Sequence, residues 1–370
     1  MRLRFQLVAA AAICAATFTS SYTATAQQRA TDNRGVVELE ASSAEGISVR
    51  IAQDLARLVD NGATRRLVPV VGKGSLQTLL DLRYLRGVDM AILQTDVFSY
   101  AKEQKVLPDA DSLFTYIAKL YNEEFHLLAG PGITDISALA NRKVNFDLPG
   151  SGTAITATRV FNLFKIPVAV VNDDQEVALE KLRRGEIAAL AFVAAKPAPL
   201  FARLRGDEQL HFLSVPINTG AADVYVPARL TAEDYPNLLP SNRSVETLAV
   251  GNVLAVADLK QLRERDRNVA NFVDVFFTEL QSLLKPGHHP KWKEVNISAE
   301  LEGWRRYGPA NQWLQRNMQI AKKPAADTLK TMFSRFVDER RQAMGGDAMS
   351  QQDKDALFQQ FEAWQRSQSE

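Results

Sequence analysis

Three turns of this sequence combine small residues with hydroxyl side chains at points where a helix is predicted to begin. They read Ala41-Ser42-Ser43, Gly72-Lys73-Gly74-Ser75 and Pro149-Gly150-Ser151-Gly152-Thr153. The first amides of a helix have no partner within the helix, and the helix dipole adds partial positive charge there. Glycine lets a ligand approach the backbone closely, and serine or threonine adds a hydroxyl that can donate or accept a hydrogen bond. The turns therefore predict binding of an anion, although each serine could instead only cap its own helix.

The serine in the third turn does not fit the known catalytic patterns. A nucleophile elbow places glycines two residues before and after the serine, whereas the glycines here are adjacent to Ser151. The second turn lacks the earlier glycine and the Gly-Lys-Ser/Thr order of a phosphate loop. The 4 histidines lack H-x-x-x-H spacing, and the single cysteine is Cys14, inside an N-terminal apolar run. We therefore predict a binding protein that is not an enzyme and has no metal or cofactor.

The turns lie in an alternation of apolar runs and amphipathic segments, which is typical of an α/β sheet with crossover helices. In such sheets ligands bind beyond the carboxyl ends of the strands, where all three turns lie. Strands are predicted at 36–39, 67–71, 88–93, 116–120, 125–129, 143–146, 167–171, 187–193 and 247–255, with 116–120 and 125–129 as a pair of strands. Helices are predicted at 46–58, 174–183 and 269–284 and after the second and third turns.

The length of the chain indicates how many domains it forms, and its net charge indicates which partners it does not bind. The chain has 370 residues, more than one hydrophobic core usually serves, so two domains are expected. Its formal net charge is +1 without a long basic block, so we expect no nucleic-acid partner. We predict a first lobe over 27–115, a second lobe over 116–215, a return to the first lobe with closing helices over 216–320, and a helical hairpin extension over 321–370.

The N-terminus has the pattern of an export signal. Two arginines precede the apolar run Leu7 to Thr17, and Ala24-Thr25-Ala26 has the small-x-small pattern that signal peptidase cuts. The apolar run is shorter than the roughly 20 residues that a bilayer core requires. We therefore predict a signal peptide over 1–26 and an exported chain that begins near Gln27.

Two longer motifs point to a protein family. They read Val88-Asp89-Met90-Ala91-Ile92-Leu93-Gln94-Thr95-Asp96 and Asp147-Leu148-Pro149-Gly150-Ser151-Gly152-Thr153-Ala154. Together with the export signal, the serine-rich first loop and Val71-Gly72-Lys73-Gly74-Ser75, they resemble the TAXI family, the solute receptors of TRAP transporters. The similarity runs from about Val36 to about Leu314.

The resemblance implies a two-lobed periplasmic binding protein fold, α/β and type II-like, to which this chain adds a C-terminal helical extension. It also implies a periplasmic receptor that closes on a small carboxylate-bearing ligand, an amino acid or organic acid, and delivers it to TRAP membrane subunits. By motif position Thr153 holds the carboxylate, and Gln94 or Asp96 holds an ammonium or hydroxyl. The ligand-binding set implied in this way is Ser42, Ser43, Lys73, Gly74, Ser75, Gln94, Asp96, Gly150, Ser151, Gly152, Thr153 and Ala154.

The chain departs from the family in two places. Family members carry Gly-Gly-Thr-Tyr-Tyr in the first loop, whereas this chain reads Glu45-Gly46-Ile47-Ser48-Val49-Arg50 and lacks both aromatic rings. The hairpin after Ala325 lies beyond the common family length, and its amphipathic helices either pack on the body or bind a protein partner. The alternative function is therefore an exported binding or signalling protein that acts through residues 326–370 on a sensor or envelope complex.

Overall fold

The computed structural model describes residues 35–43, 46–206, 209–217, 220–221, 224–257, 259 and 262–322, with 333, 350, 352–355 and 357–359. The predicted signal peptide lies outside the described residues, as does most of the predicted hairpin. The described residues up to Ala310 belong to one compact unit and those from Asn311 to another. Within the described part of the chain, no helix has the length and apolar character needed to cross a membrane.

Strands and helices alternate as the apolar pattern predicts. The elements are β1 (Val36–Ala41), α1 (Ile47–Val59), β2 (Arg66–Val71), α2 (Ser75–Tyr84), β3 (Val88–Gln94), α3 (Asp96–Glu103), α4 (Ala110–Leu113), β4 (Phe114–Ala129), β5 (Lys143–Asn145), α5 (Gly152–Leu163), β6 (Ala169–Val171), α6 (Gln175–Arg183), β7 (Ala189–Ala194), α7 (Pro199–Ala202), β8 (His211–Phe212), β9 (Val226–Thr231), β10 (Ser244–Ala257), α8 (Arg263–Glu279) and α9 (Gly308–Lys322). Short 3-10 helices cover Ile136–Leu139, Leu280–Leu284 and Pro290–Glu294.

All described strands belong to one mixed sheet. Its order is β2-β1-β3-β10-β4-β7-β5-β6, with β8 paired to β4 and β9 paired to β10. Strands β1, β2 and β3 are parallel, and so are β5, β6 and β7, while β4 and β10 are antiparallel to their neighbours. The predicted α/β class is confirmed.

Two long central strands join the two halves of this sheet. We call β1, β2 and β3 with α1, α2 and α3 the first lobe, and β5, β6 and β7 with α5 and α6 the second lobe. Strand β4 pairs with β10 from Phe114 to Glu124 and with β7 from Glu124 to Ala129, so it leaves one half and joins the other at Glu124. The lobe boundaries predicted from the sequence, with hinges near residues 115 and 215, stay a prediction.

Strand β4 corrects one expectation from the sequence. The segments 116–120 and 125–129 are not a pair of strands but parts of this single strand of 16 residues. The polar run Asn122-Glu123-Glu124 resembles a turn because such residues are rare in a central strand. Here their polar groups bond to distant segments, and the strand continues through them.

Each lobe has its own apolar core. In the first lobe Leu79, Leu93 and Val97 belong to one buried cluster, and in the second lobe Val144 and Val160 belong to another. The apolar stripe of α1 is buried as predicted at Ile51 and Leu55. These cores fix the helices whose starts carry the candidate site.

Candidate functional site

The start of α2 is fixed by the end of β1. Gly72 N donates to Ala41 O at 2.7 Å, and Gly74 N donates to Ser42 O at 2.8 Å. Gly74 has a φ of +112°, a conformation that residues with a side chain rarely adopt. Ser75 begins the helix and is only 2% exposed. The second turn is therefore a fixed backbone structure that holds the start of a helix.

The start of α5 uses its hydroxyls within the second lobe. Ser151 Oγ accepts from Ala154 N at 3.1 Å, so this serine caps its own helix. Thr153 Oγ1 accepts from Val193 N at 3.0 Å and so joins α5 to β7. The oxygens of both hydroxyls thus already accept hydrogen bonds that stabilise the second lobe.

The two helix starts meet each other. Leu76 N, in the first turn of α2, donates to Gly150 O at 3.1 Å. A Cβ on Gly74 would lie 2.9 Å from that carbonyl oxygen, so the approach requires glycine. Ile155, which belongs to α5, is 1% exposed and lies within the apolar cluster of the first lobe. The lobes are therefore in direct contact at two of the three turns predicted to bind an anion.

Gln94, the last residue of β3, links this contact to the centre of the sheet. Its Oε1 lies 3.4 Å from Ser75 Oγ, and a Cβ on Gly152 would overlap its carboxamide. Its Nε2 donates to Glu123 Oε2 at 3.0 Å, and Asn252 Nδ2 donates to the same oxygen at 3.1 Å. Burial raises the pKa of Glu123, while the bonds from the two carboxamides lower it. We call Gln94, Glu123 and Asn252 the amide–carboxylate triad.

Asp96, at the start of α3, is a second link between the lobes. Its Oδ2 accepts from Thr156 Oγ1 at 2.7 Å and from the Tyr225 hydroxyl at 3.0 Å. Its Oδ1 is buried and has no hydrogen-bond partner. Burial raises the pKa of Asp96 against the lowering effect of those two hydroxyls. Beside it, Arg159 of α5 pairs with Glu103 of α3 at 2.6 Å, so α3 and α5 are joined by polar contacts across the lobes.

A family model matches most of the chain that carries these contacts. It is described as the NMT1-like family and covers residues 46–298. The chain belongs to the NMT1-like family. The matched residues include α2, α5, the amide–carboxylate triad and the contacts of Asp96, whereas Ser42 and Ser43 precede them.

Several solved structures are similar to this NMT1-like chain. An amino acid ABC transporter substrate-binding protein from Streptococcus pneumoniae, bound to L-arginine, has 12% identity and a TM-score of 0.43, covering 72% of this chain and 98% of that one. The alkanesulfonate-binding protein SsuA from Xanthomonas axonopodis pv. citri, bound to MOPS, has 13% identity and a TM-score of 0.39, covering 70% and 82%. A TctC solute binding protein from Polaromonas has 15% identity and a TM-score of 0.37, covering 66% and 88%. No curated protein sequence matches the chain.

The structure brings some of the predicted ligand-binding residues of the NMT1-like chain together and separates others. Those that meet where the lobes touch are Gly74, Ser75, Gln94, Gly150 and Gly152. Those bonded within their own lobe are Ser42, Ser151, Thr153 and Ala154. Of the remaining three, Asp96 binds hydroxyls of the second lobe, Ser43 is partly buried and Lys73 is exposed.

Five polar residues at this contact between the lobes were missed by the reasoning from sequence. They are Glu123, Thr156, Arg159, Tyr225 and Asn252. A signal was present for some of them, because Asn252 interrupts the apolar run 248–257 and Glu123 lies in a polar run between two apolar segments. Thr156 and Arg159 follow Gly152 by one and two helical turns, which places them on the same face of α5. Tyr225 lies in an irregular segment and gave no signal.

The opposite face of β4 carries an ion pair. Lys291 Nζ lies 3.1 Å from Glu124 Oε1 and 2.7 Å from Glu294 Oε1. Glu124 Oε2 also accepts from Lys196 N at 3.1 Å. Glu124 is 5% exposed and Lys291 6%, so both charges of this pair are buried.

The histidine pair 288–289 lies against a buried aspartate. His288 Nδ1 lies 3.3 Å from Asp54 Oδ1, and His289 N donates to Asp54 Oδ2 at 3.2 Å. Trp292 Nε1 donates to the same Oδ2 at 2.8 Å, so the pair helps to pack the segment on α1. Among the described residues, no group of three or more His, Cys, Asp or Glu side chains could hold a metal ion.

Proposed function

We propose that the chain is an exported, periplasmic solute-binding receptor that captures a small carboxylate-bearing ligand for a TRAP-type transporter. The observation that carries this proposal is the meeting of the helix starts of α2 and α5, which come from different lobes. Leu76 N donates to Gly150 O at 3.1 Å, so an amide at the start of α2 already binds an oxygen of the second lobe. The resemblance of the motifs around Gln94 and Gly150 to the TAXI family supports the same proposal.

A carboxylate suits this position better than the carbonyl that occupies it. Helix-start amides bind negative charge favourably because of the helix dipole, and hydrogen bonds to a charged acceptor are stronger than those to a neutral one. Once the lobes separate, a ligand carboxylate replaces the Gly150 carbonyl at the start of α2, with Ser75 beside it. Closure on the ligand then lets the start of α5 contact it from the second lobe.

Receptor action follows from contacts with both lobes. A ligand that touches both lobes binds the closed form more tightly than the open form and so shifts the balance towards closure. Membrane subunits that bind the closed form would then recognise an occupied receptor. This action requires no bond-making residue, so we propose no enzymatic activity, and the ligand should be recovered chemically unchanged after incubation.

The first test is a thermal-shift screen of the exported chain, purified from the periplasm, against amino acids, keto acids and dicarboxylates. A ligand at about 100 times its dissociation constant adds roughly 2.7 kcal/mol to the free energy of unfolding, which raises the melting temperature measurably. If none of these compounds raises it, the proposal is wrong, and the alternative of an exported signalling protein acting through residues 326–370 becomes the better one.

The second test asks whether the ligand binds at the start of α2. Ser75→Ala should weaken binding by roughly 1.5–3 kcal/mol in isothermal titration calorimetry, because it removes a donor to a charged group. Ser112→Ala, at an exposed serine of α4, is the matched control and should leave the affinity unchanged. Equal ligand affinities for both variants would mean that the ligand does not bind at the start of α2.

A further inference from the structure

Glu123 is a buried carboxylate that has no cationic partner on its own face of the sheet. It is 8% exposed and accepts hydrogen bonds from Gln94 and Asn252, whose carboxamides carry no charge. Both carboxamides bind its Oε2, and no described residue donates a hydrogen bond to Oε1. A buried charge is costly unless a partner of opposite charge compensates it.

Lys291 binds carboxylates on the other face of the strand. Successive residues of a strand point to opposite faces, and Lys291 binds Glu124 at 3.1 Å and Glu294 at 2.7 Å. Glu123 is thus left with neutral donors at the centre of the sheet, where three strands contribute polar side chains. Gln94 ends β3, Asn252 lies opposite it on β10, and Glu123 lies on β4.

This carboxylate lies next to the proposed anion site. A single side chain, that of Gln94, spans the two, with its Oε1 3.4 Å from Ser75 Oγ and its Nε2 3.0 Å from Glu123 Oε2. Gly152 covers this carboxamide from the second lobe so closely that a Cβ there would overlap it. Separation of the lobes therefore uncovers the start of α2 and the Gln94 carboxamide, which binds Glu123, together.

We propose that Glu123, held by Gln94 and Asn252, is the subsite for an ammonium group of the ligand. The proposal rests on the proposed function, which supplies the site for the ligand carboxylate at the start of α2. A negative and a positive group separated by one carboxamide fit an α-amino acid, whose own charges are two bonds apart. The corresponding 2-oxo acid has no positive charge and leaves Glu123 uncompensated. Glu123 thus selects amino acids over organic acids.

The experiment compares matched pairs on the exported chain by thermal shift and calorimetry. The pairs are L-glutamate with 2-oxoglutarate, L-alanine with pyruvate, L-leucine with 4-methyl-2-oxopentanoate and L-phenylalanine with phenylpyruvate. We expect an amino acid to bind at least about 10-fold more tightly than its own 2-oxo acid. Glu123→Gln should weaken that binding roughly 10- to 100-fold, as loss of a hydrogen bond to a charged group does. The control Glu246→Gln changes an exposed glutamate of β10 that pairs with Arg229 and should bind normally.

The outcomes separate this inference from the proposed function. If a 2-oxo acid binds as tightly as its amino acid, or if Glu123→Gln binds normally, the ammonium subsite is wrong while the receptor function stands. If neither member of any pair binds, both proposals fail. A rise in melting temperature with NaCl but not with choline chloride, without any organic ligand, would assign Glu123 to a sodium ion and overturn the subsite. The comparison of pairs on the unaltered chain decides the question even if Glu123→Gln does not fold.

Discussion

Glu123 and Glu124 are neighbours on one strand, yet their hydrogen-bond partners differ. Glu124 lies 3.1 Å from the ammonium of Lys291 and accepts from Lys196 N, so its charge is compensated within the protein. Glu123 accepts only from the carboxamides of Gln94 and Asn252. Both are buried to nearly the same extent, at 8% and 5% exposed.

The difference shows which of the two buried carboxylates has a cationic partner within the protein and which has none. The face of β4 at Glu124 joins the strand to the segment around Lys291, whose ammonium compensates the charge of Glu124. The face at Glu123 lies beneath the contact between the lobes, and its polar groups keep capacity for a further partner. The joint between the lobes therefore has a structural side and a proposed binding side.

The largest expected effect on stability comes from removing the cation of the buried Glu124–Lys291 ion pair. Lys291→Met leaves Glu124 buried without its cation, which should lower the free energy of unfolding by about 3–5 kcal/mol. Urea denaturation followed by tryptophan fluorescence measures this. Lys293→Met, on the same 3-10 helix but exposed, is the matched control and should change stability by less than about 0.5 kcal/mol. Similar losses in both variants would show that the buried ion pair is not what stabilises this face.

The next effect is expected at Gly152, which lies against the Gln94 carboxamide on the Glu123 face of β4. Gly152→Ala places a Cβ against the Gln94 carboxamide, and overpacking of this kind costs roughly 1–3 kcal/mol. Because the clash lies between the lobes, we expect the ligand-free chain to open, with a larger radius of gyration in small-angle X-ray scattering. The double variant Gly152→Ala with Gln94→Ala removes the clash and should return the radius towards the original value. An unchanged radius in the single variant would contradict the direct contact between the lobes.

A third buried carboxylate, Glu40, tests whether the lack of a cationic partner makes ionisation of a buried carboxylate destabilising. Glu40 is 1% exposed and accepts from Thr78 Oγ1 at 2.8 Å, and, as for Glu123, no cation among the described residues forms an ion pair with it. Burial raises the pKa of Glu40 from 4.5 to about 7. A raised folded-state pKa means that stability present below pH 4.5 is lost as the pH rises through about 7. Glu40→Gln should therefore exceed the unaltered chain in stability by on the order of 3 kcal/mol at pH 8 and nearly match it at pH 4.5. A constant difference across this pH range would contradict the assignment.

The smallest expected effect on stability is at Glu123 itself. Burial raises the pKa of Glu123, so its ionisation costs the folded chain stability as the pH rises. Glu123→Gln should change the free energy of unfolding by less than about 1 kcal/mol near neutral pH, in the stabilising direction, since it removes a buried charge and keeps a partner for the carboxamides. Urea curves at pH 5 and pH 8 measure this. A loss comparable to that of Lys291→Met would mean that the two faces of β4 do not differ.

Much of the fold was predictable because the signals are local. Apolar periodicity gave α1 and α6, and glycine next to serine marked the starts of α2 and α5. At Ser151 the sequence left capping and ligand binding open, and the structure shows that it caps its helix. The ligand role predicted for these turns stays a prediction.

The amide–carboxylate triad could not be predicted because its partners are distant in sequence. Glu123 is 29 residues from Gln94 and 129 residues from Asn252 in the sequence. Without those partners the polar run 122–124 looks like a turn, which is why β4 was wrongly divided. The same division concealed Glu123, because a residue in a turn would be exposed and would attract no attention as a buried charge.

The burial of Ile155 in the core of the first lobe means that the proposed opening of the lobes would expose apolar surface to water. When the lobes separate, this side chain leaves apolar neighbours for water, and newly hydrated apolar surface raises the heat capacity. The open form therefore has the higher heat capacity, and closure weakens on cooling because its hydrophobic component does. A ligand that closes the lobes should bind with a negative heat-capacity change, so temperature as well as ligand sets the fraction of open molecules.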